Sequence, residues 1–216
     1  MRRPRFQLDS RQARLSAAHG TLARESRRPA FIALGIAFAL NGFIVSALTV
    51  HMIALLQGKG LSLESAVWVG AFFGPMQVTG RILEFTIGRR FSSRRIGMIS
   101  LWLLVGALAV LIAVNGQVSL ALAFAIVFGC SNGVVTIVRG TVPAELFGRA
   151  GYGGTLGSLA APALFARAVA PFAFAPLAVP QTASLGWLLL LTVMAALSVA
   201  SFAVAVKKRS RQATTL

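Results

Sequence analysis

The chain has 216 residues, 56% hydrophobic and 12% charged, with a formal net charge of +16. Soluble domains usually carry about 25% charged residues, so an ordinary soluble globular domain is excluded. Nearly all of the positive charge sits in the connections between apolar stretches and in the termini, which argues for membrane topology and anionic lipid rather than nucleic acid as its partner. A single cysteine, Cys130, lies inside an apolar run. It supports neither a disulfide framework nor a cysteine metal site, and no metal or cofactor is expected.

In chain order, residues 1–28 come first and hold eight arginines. Leu8, Leu15 and Leu22 recur every seven residues among them. This segment reads either as an amphipathic helix on the inner leaflet or as a disordered basic linker. Residues 29–206 form the membrane domain, with spans predicted at about 30–56, 65–87, 96–114, 118–138, 153–177 and 184–206. Each approaches or exceeds the ~20 apolar residues that cross a hydrocarbon core. The runs are continuous rather than alternating, so the fold class is all-α and polytopic, not a barrel. Spans three and four, and five and six, are joined so tightly that antiparallel hairpins are expected. Residues 207–216 are a basic tail. The connections alternate between basic and neutral along the chain, which places both termini in the cytoplasm.

Polar residues inside these spans are costly and mark interiors or cavities. Span one has Asn41 and His51; span two has Gln77, Arg81 and Glu84; span four has Ser131, Asn132, Thr136 and Arg139; span five has Arg167. Spans three and six are bland. Each third helix therefore suits a lipid-facing periphery, giving two repeats of three helices. Helical spacing aligns Gly70, Gly74, Gln77, Arg81 and Glu84 on one stripe, with Arg81 and Glu84 close enough to pair. Gly153 and Gly157 form a close-packing GxxxG pair.

Arg167 lies near a span midpoint with no acid at similar depth. Its guanidinium suits an anionic substrate held by bidentate hydrogen bonds, or else carbonyls freed by Pro162 or Pro171. His51 suits a transported proton or helix packing. Gln77, Asn41 and Asn132 suit a pathway lining or interhelical bonding. Gly129-Cys130-Ser131-Asn132-Gly133 matches a hydrolase pattern, but that motif requires a strand before its helix. No enzyme is expected.

Gly80-Arg81-Ile82-Leu83-Glu84-Phe85-Thr86-Ile87-Gly88-Arg89-Arg90 resembles the signature loop of the major facilitator superfamily. Phe85 stands where that loop has a basic residue, and one extra residue precedes Gly88. Residues 74–81 and 139–148 are similar to the C-terminal half of bacterial members. The resemblance covers about 29–206 and implies one six-helix half of a secondary transporter in a bacterial inner membrane. It implies alternating access for a small solute, commonly coupled to protons, with the pathway between two halves. Gly80, Arg81, Glu84, Gly88, Arg89, Arg90, Arg139 and Glu145 would then form a cytoplasmic gate. Residues 1–28 would match the linker between halves. The chain would be truncated, the preferred reading, or pair with a separate first half or a second copy of itself. A non-transporting membrane scaffold or assembly partner is the alternative.

Overall fold

The computed structural model describes residues 24–149, 151–175 and 185–207, and its regular elements are all helical among them. They are α1 (Arg24–Gly58), α2 (Leu63–Thr86), α3 (Ser93–Ala113), α4 (Val118–Phe147), α5 (Tyr152–Phe174) and α6 (Leu185–Lys207), with a 3-10 turn at Gly88–Arg90. Most of the basic lead-in and nearly all of the tail lie outside the described residues, so the reading of Leu8, Leu15 and Leu22 does too. Five helices, α1 and α3 through α6, are long and apolar enough to cross a membrane. This fits a polytopic integral membrane protein. Six spans were expected, and α2 is the exception. It is 24 residues long, but Glu64, Gln77, Arg81, Glu84 and three interior glycines dilute its apolar content.

Local chemistry sets the ends of the helices. The Ser62 hydroxyl accepts from the Ser65 amide at 3.2 Å and caps the start of α2. Gly60 and Gly116 adopt φ of 88° and 72° in the turns that flank α2 and α4. These turns meet: the Gly116 amide donates to the Lys59 carbonyl at 2.7 Å. The Lys59 ammonium donates to the Ile112 carbonyl at 2.9 Å, covering an unpaired carbonyl at the end of α3. α4 runs on to Phe147, nine residues past the end the sequence suggested, because Pro143 interrupts one backbone bond without stopping the helix. Gly148, at φ 85°, ends it.

α1 and α4 form the centre. α1 packs on α5 and α6, α4 packs on α2 and α3, and α3 touches α6. The expected α3–α4 hairpin is present. α5 and α6 do not form one, because α6 turns away to pack on α1 and α3. The expectation of α3 and α6 as the outer helices also needs correction for this chain by itself. Of the most apolar stretch of each helix, 56% is buried in α1 and 50% in α4, against 44% in α3, 33% in α6 and only 17% in α5. α5 is thus the most exposed span.

Buried side chains form two clusters. One, toward the Gly60 and Gly116 turns, gathers Ile44, Leu48, Leu56, Leu108, Phe124 and Phe128. The other gathers Leu34, Phe38, Leu101, Val138, Leu146 and Phe202. Between helices, the buried Ser131 hydroxyl donates to the Ser100 carbonyl at 2.7 Å, and that of Ser198 to the Ala37 carbonyl at 2.9 Å. Each such bond contributes about 0.5–2 kcal/mol in a membrane. Arg27, Arg28, Arg90, Arg94, Arg95, Arg149 and Lys207 fall at one end of the bundle, hereafter the basic end. The opposite end has Lys59 and Glu64.

Candidate functional site

The polar residues of the spans collect along two seams. In the α1–α5 seam, Gly42 lets the helices approach closely. A Cβ there would lie 3.1 Å from the Ala163 carbonyl oxygen and 3.1 Å from Arg167 Cγ. The aliphatic stem of Arg167 therefore crosses α1 at Gly42, next to Asn41. Asn41 is fully buried, and its Oδ1 accepts from Arg139 Nη2 at 2.8 Å. Asn41 Nδ2 and Arg139 Nε are buried without a hydrogen-bond partner. Arg167 is exposed, and its stem passes the residue next to the one that Arg139 bonds. Two cations and an amide with spare donors thus share one place near the middle of α1.

Proline shapes the same seam. Pro171 has no amide hydrogen, which deprives the Arg167 carbonyl of its helical partner. The Ser46 hydroxyl of α1 donates to that carbonyl at 2.8 Å instead. The sequence left Arg167 open to bonding the freed carbonyls; a serine does so here. One turn further, a ring nitrogen of His51 lies 3.0 Å from the Pro171 carbonyl, and the ring packs on Phe174 at 5.9 Å between centroids. A carbonyl only accepts, so that nitrogen carries a hydrogen.

The α2–α4 seam is tighter. Asn132 Nδ2 donates to Gln77 Oε1 at 3.0 Å. A Cβ on Gly133 would collide with the Gln77 backbone, one on Gly129 with Met76 and Phe73, and one on Gly80 with Cys130. Phe73 stacks on Phe128 at 4.7 Å. The Gly129–Gly133 segment, which mimics a hydrolase motif, is a GxxxG helix contact. Its spacing was visible in the sequence. Gly153 and Gly157, where close packing was expected, have nothing within 4 Å of a built Cβ.

The proposed gate residues are only partly gathered. Arg139, grouped by sequence with the basic end, reaches back to Asn41 instead. Glu145 pairs with Arg94 at 2.8 Å, tying the end of α4 to the start of α3. That bridge was not foreseen, although the reversal of chain direction between α3 and α4 would place those termini together. Arg81 and Glu84 do not pair: Arg81 is exposed, while Glu84 turns toward Gly88, where its Cγ is 3.1 Å from a built Cβ. Gly88 is buried and Arg90 is exposed. The Arg89 side chain lies outside the described residues. No protein-family model, curated protein or solved structure matches the chain.

Proposed function

We propose that this chain is a six-helix half of a secondary transporter of the major facilitator type, moving a small solute by alternating access. The observation that carries this reading is the packing pattern. Advancing every helix by three places turns α1 on α5 into α4 on α2, and α1 on α6 into α4 on α3. The α3–α6 contact maps onto itself. Two three-helix repeats related by a pseudo-twofold axis would pack in this way. An Asn-Gly pair at the tight point of each central helix agrees: Asn41-Gly42 on α1 and Asn132-Gly133 on α4.

Under this reading Asn41, Arg167, Gln77, Asn132 and His51 line or border the pathway. Gly80, Arg81, Glu84, Gly88, Arg89, Arg90 and Glu145 stand at the end that closes, while Arg139 joins the pathway. The basic end faces the cytoplasm of a bacterial inner membrane. The exposed face of α5, with Phe165 and Phe172 73% and 81% exposed, awaits a first half or a second copy. A non-transporting scaffold would use the same face for assembly, which is why that reading is kept.

Uptake by the full chain in proteoliposomes, alone and with a candidate first half, tests transport. Flux that follows a pH gradient and falls in Arg167→Ala and Gln77→Ala is expected. If those variants change association or accumulation but no flux exists at any gradient, the scaffold reading replaces it.

A further inference from the structure

The described residues hold no acid against Arg139 or Arg167. The carboxylate of Glu145 is taken by Arg94, Glu84 faces Gly88, and Glu64 lies in the first turn of α2 at the opposite end of the bundle. What surrounds the two guanidiniums is donor-rich. Asn41 has spent its oxygen on Arg139, so only its NH₂ group remains, and Arg139 Nε is likewise unbonded and buried. A buried donor without a partner costs about 1–3 kcal/mol, and a buried unpaired charge costs more. Two repelling cations beside two orphaned donors are relieved together by one kind of ligand, an anion rich in acceptors. A cation would add repulsion, and a neutral donor would leave the orphans unbonded.

The approach is also shaped. Arg139 is anchored through Nη2, which leaves its buried Nε hydrogen without a partner. Arg167 lies across Gly42 with its head exposed, so it can swing onto a ligand without breaking a bond. The equivalent place in the α2–α4 seam holds Gln77, whose oxygen already satisfies Asn132. Among the described residues, the buried donors without a partner lie at the α1–α5 seam and not at this one.

We infer that Asn41, Arg139 and Arg167 form an oxyanion site that recognises the carboxylate or comparable oxyanion group of a small organic solute. Arg139 and Asn41 supply fixed donors, and Arg167 closes over the ligand as a mobile cation. This rests on the transport reading for the ligand's route, but its binding is measured without flux.

The test is titration of the full chain in lipid nanodiscs with succinate, benzoate, inorganic phosphate and choline, read by tryptophan fluorescence and thermal unfolding. At least one oxyanion should bind, weaken with added salt and raise the unfolding temperature, while choline does neither. The relative strength of carboxylate and phosphate identifies the headgroup. Arg139→Gln and Arg167→Gln should each weaken binding about tenfold or more, a loss of ~1.4 kcal/mol, and Arg167→Lys should lose less. Asn41→Asp supplies Arg139 with an internal carboxylate. It should abolish oxyanion binding while leaving thermal stability unchanged or higher, a combination that misfolding does not produce. Absence of oxyanion binding, equal binding of choline, or wild-type binding by Asn41→Asp would overturn the inference. Binding without flux would keep the site and remove the transporter reading; flux of a cation without oxyanion binding would do the reverse.

Discussion

The α1–α5 and α2–α4 seams are built from the same parts to opposite effect. Each sets an Asn-Gly pair of a central helix against an outer helix. In the α2–α4 seam the glycines are packed against backbone and the two amides satisfy each other. In the α1–α5 seam the glycine is less tightly held, with the Ala163 carbonyl oxygen and the Arg167 stem each 3.1 Å from a built Cβ, and the asparagine meets a cation that keeps a free donor. One seam is closed and neutral; the other is looser and charged. Unmet polarity in a membrane interior persists where a function requires it, so the difference itself points to the α1–α5 seam.

Substitution can break or sharpen this contrast. The largest effect is expected from the glycines. Gly133→Ala drives a methyl group into the Gln77 backbone and should cost about 3 kcal/mol, read from thermal or denaturant unfolding in detergent. Gly42→Ala meets the Ala163 carbonyl oxygen and the Arg167 stem at 3.1 Å, a contact relieved by a shift of a few tenths of an ångström, and should cost about 1 kcal/mol. Equal losses would show that the seams are equally tight.

The asparagines come next. Asn41→Ala strips Arg139 of its one hydrogen bond and should cost about 2 kcal/mol. Asn132→Ala removes a neutral pair worth about 0.6 kcal/mol in a membrane. A larger loss at Asn132 would reverse the assignment of strain to the α1–α5 seam. Smaller again, Arg167→Gln makes that seam resemble its counterpart by removing the repulsion on Arg139. Stability should rise by a few tenths of a kcal/mol as anion affinity falls; a fall in both would make Arg167 a structural residue. Away from both seams, Arg94→Ala should cost no more than about 1 kcal/mol, as its bridge to Glu145 is partly exposed.

Much of this arrangement was legible in the sequence, for identifiable reasons. Continuous apolar runs fix helices wherever tertiary detail matters least, so α2, α3 and α6 appear within three residues of their expected limits. Asn41 and Arg167 stood out because polar groups at that depth are costly. Contacts between distant segments were harder to read. Arg139 read as the inner end of span four and part of a cytoplasmic gate, and only the packing of α4 on α1 shows that its long side chain reaches back to Asn41. The tight glycines were misassigned because a GxxxG pair reveals that a close contact is possible, not which partner fills it. Gly129–Gly133 found α2, and Gly153–Gly157 found nothing. The α5–α6 hairpin failed similarly, because a short connection limits how far apart two ends lie but not which neighbours the helices choose.

The Ser46 bond to the Arg167 carbonyl has a mechanical consequence. Pro162 and Pro171 each remove a rung from the ladder of α5, one on either side of Arg167. The stretch between them is a short stiff lever with a weakened joint at each end, and Ser46 is the latch on one joint. Releasing that single hydroxyl would let the lever tilt against α1 and carry the Arg167 charge with it, without melting any part of the helix.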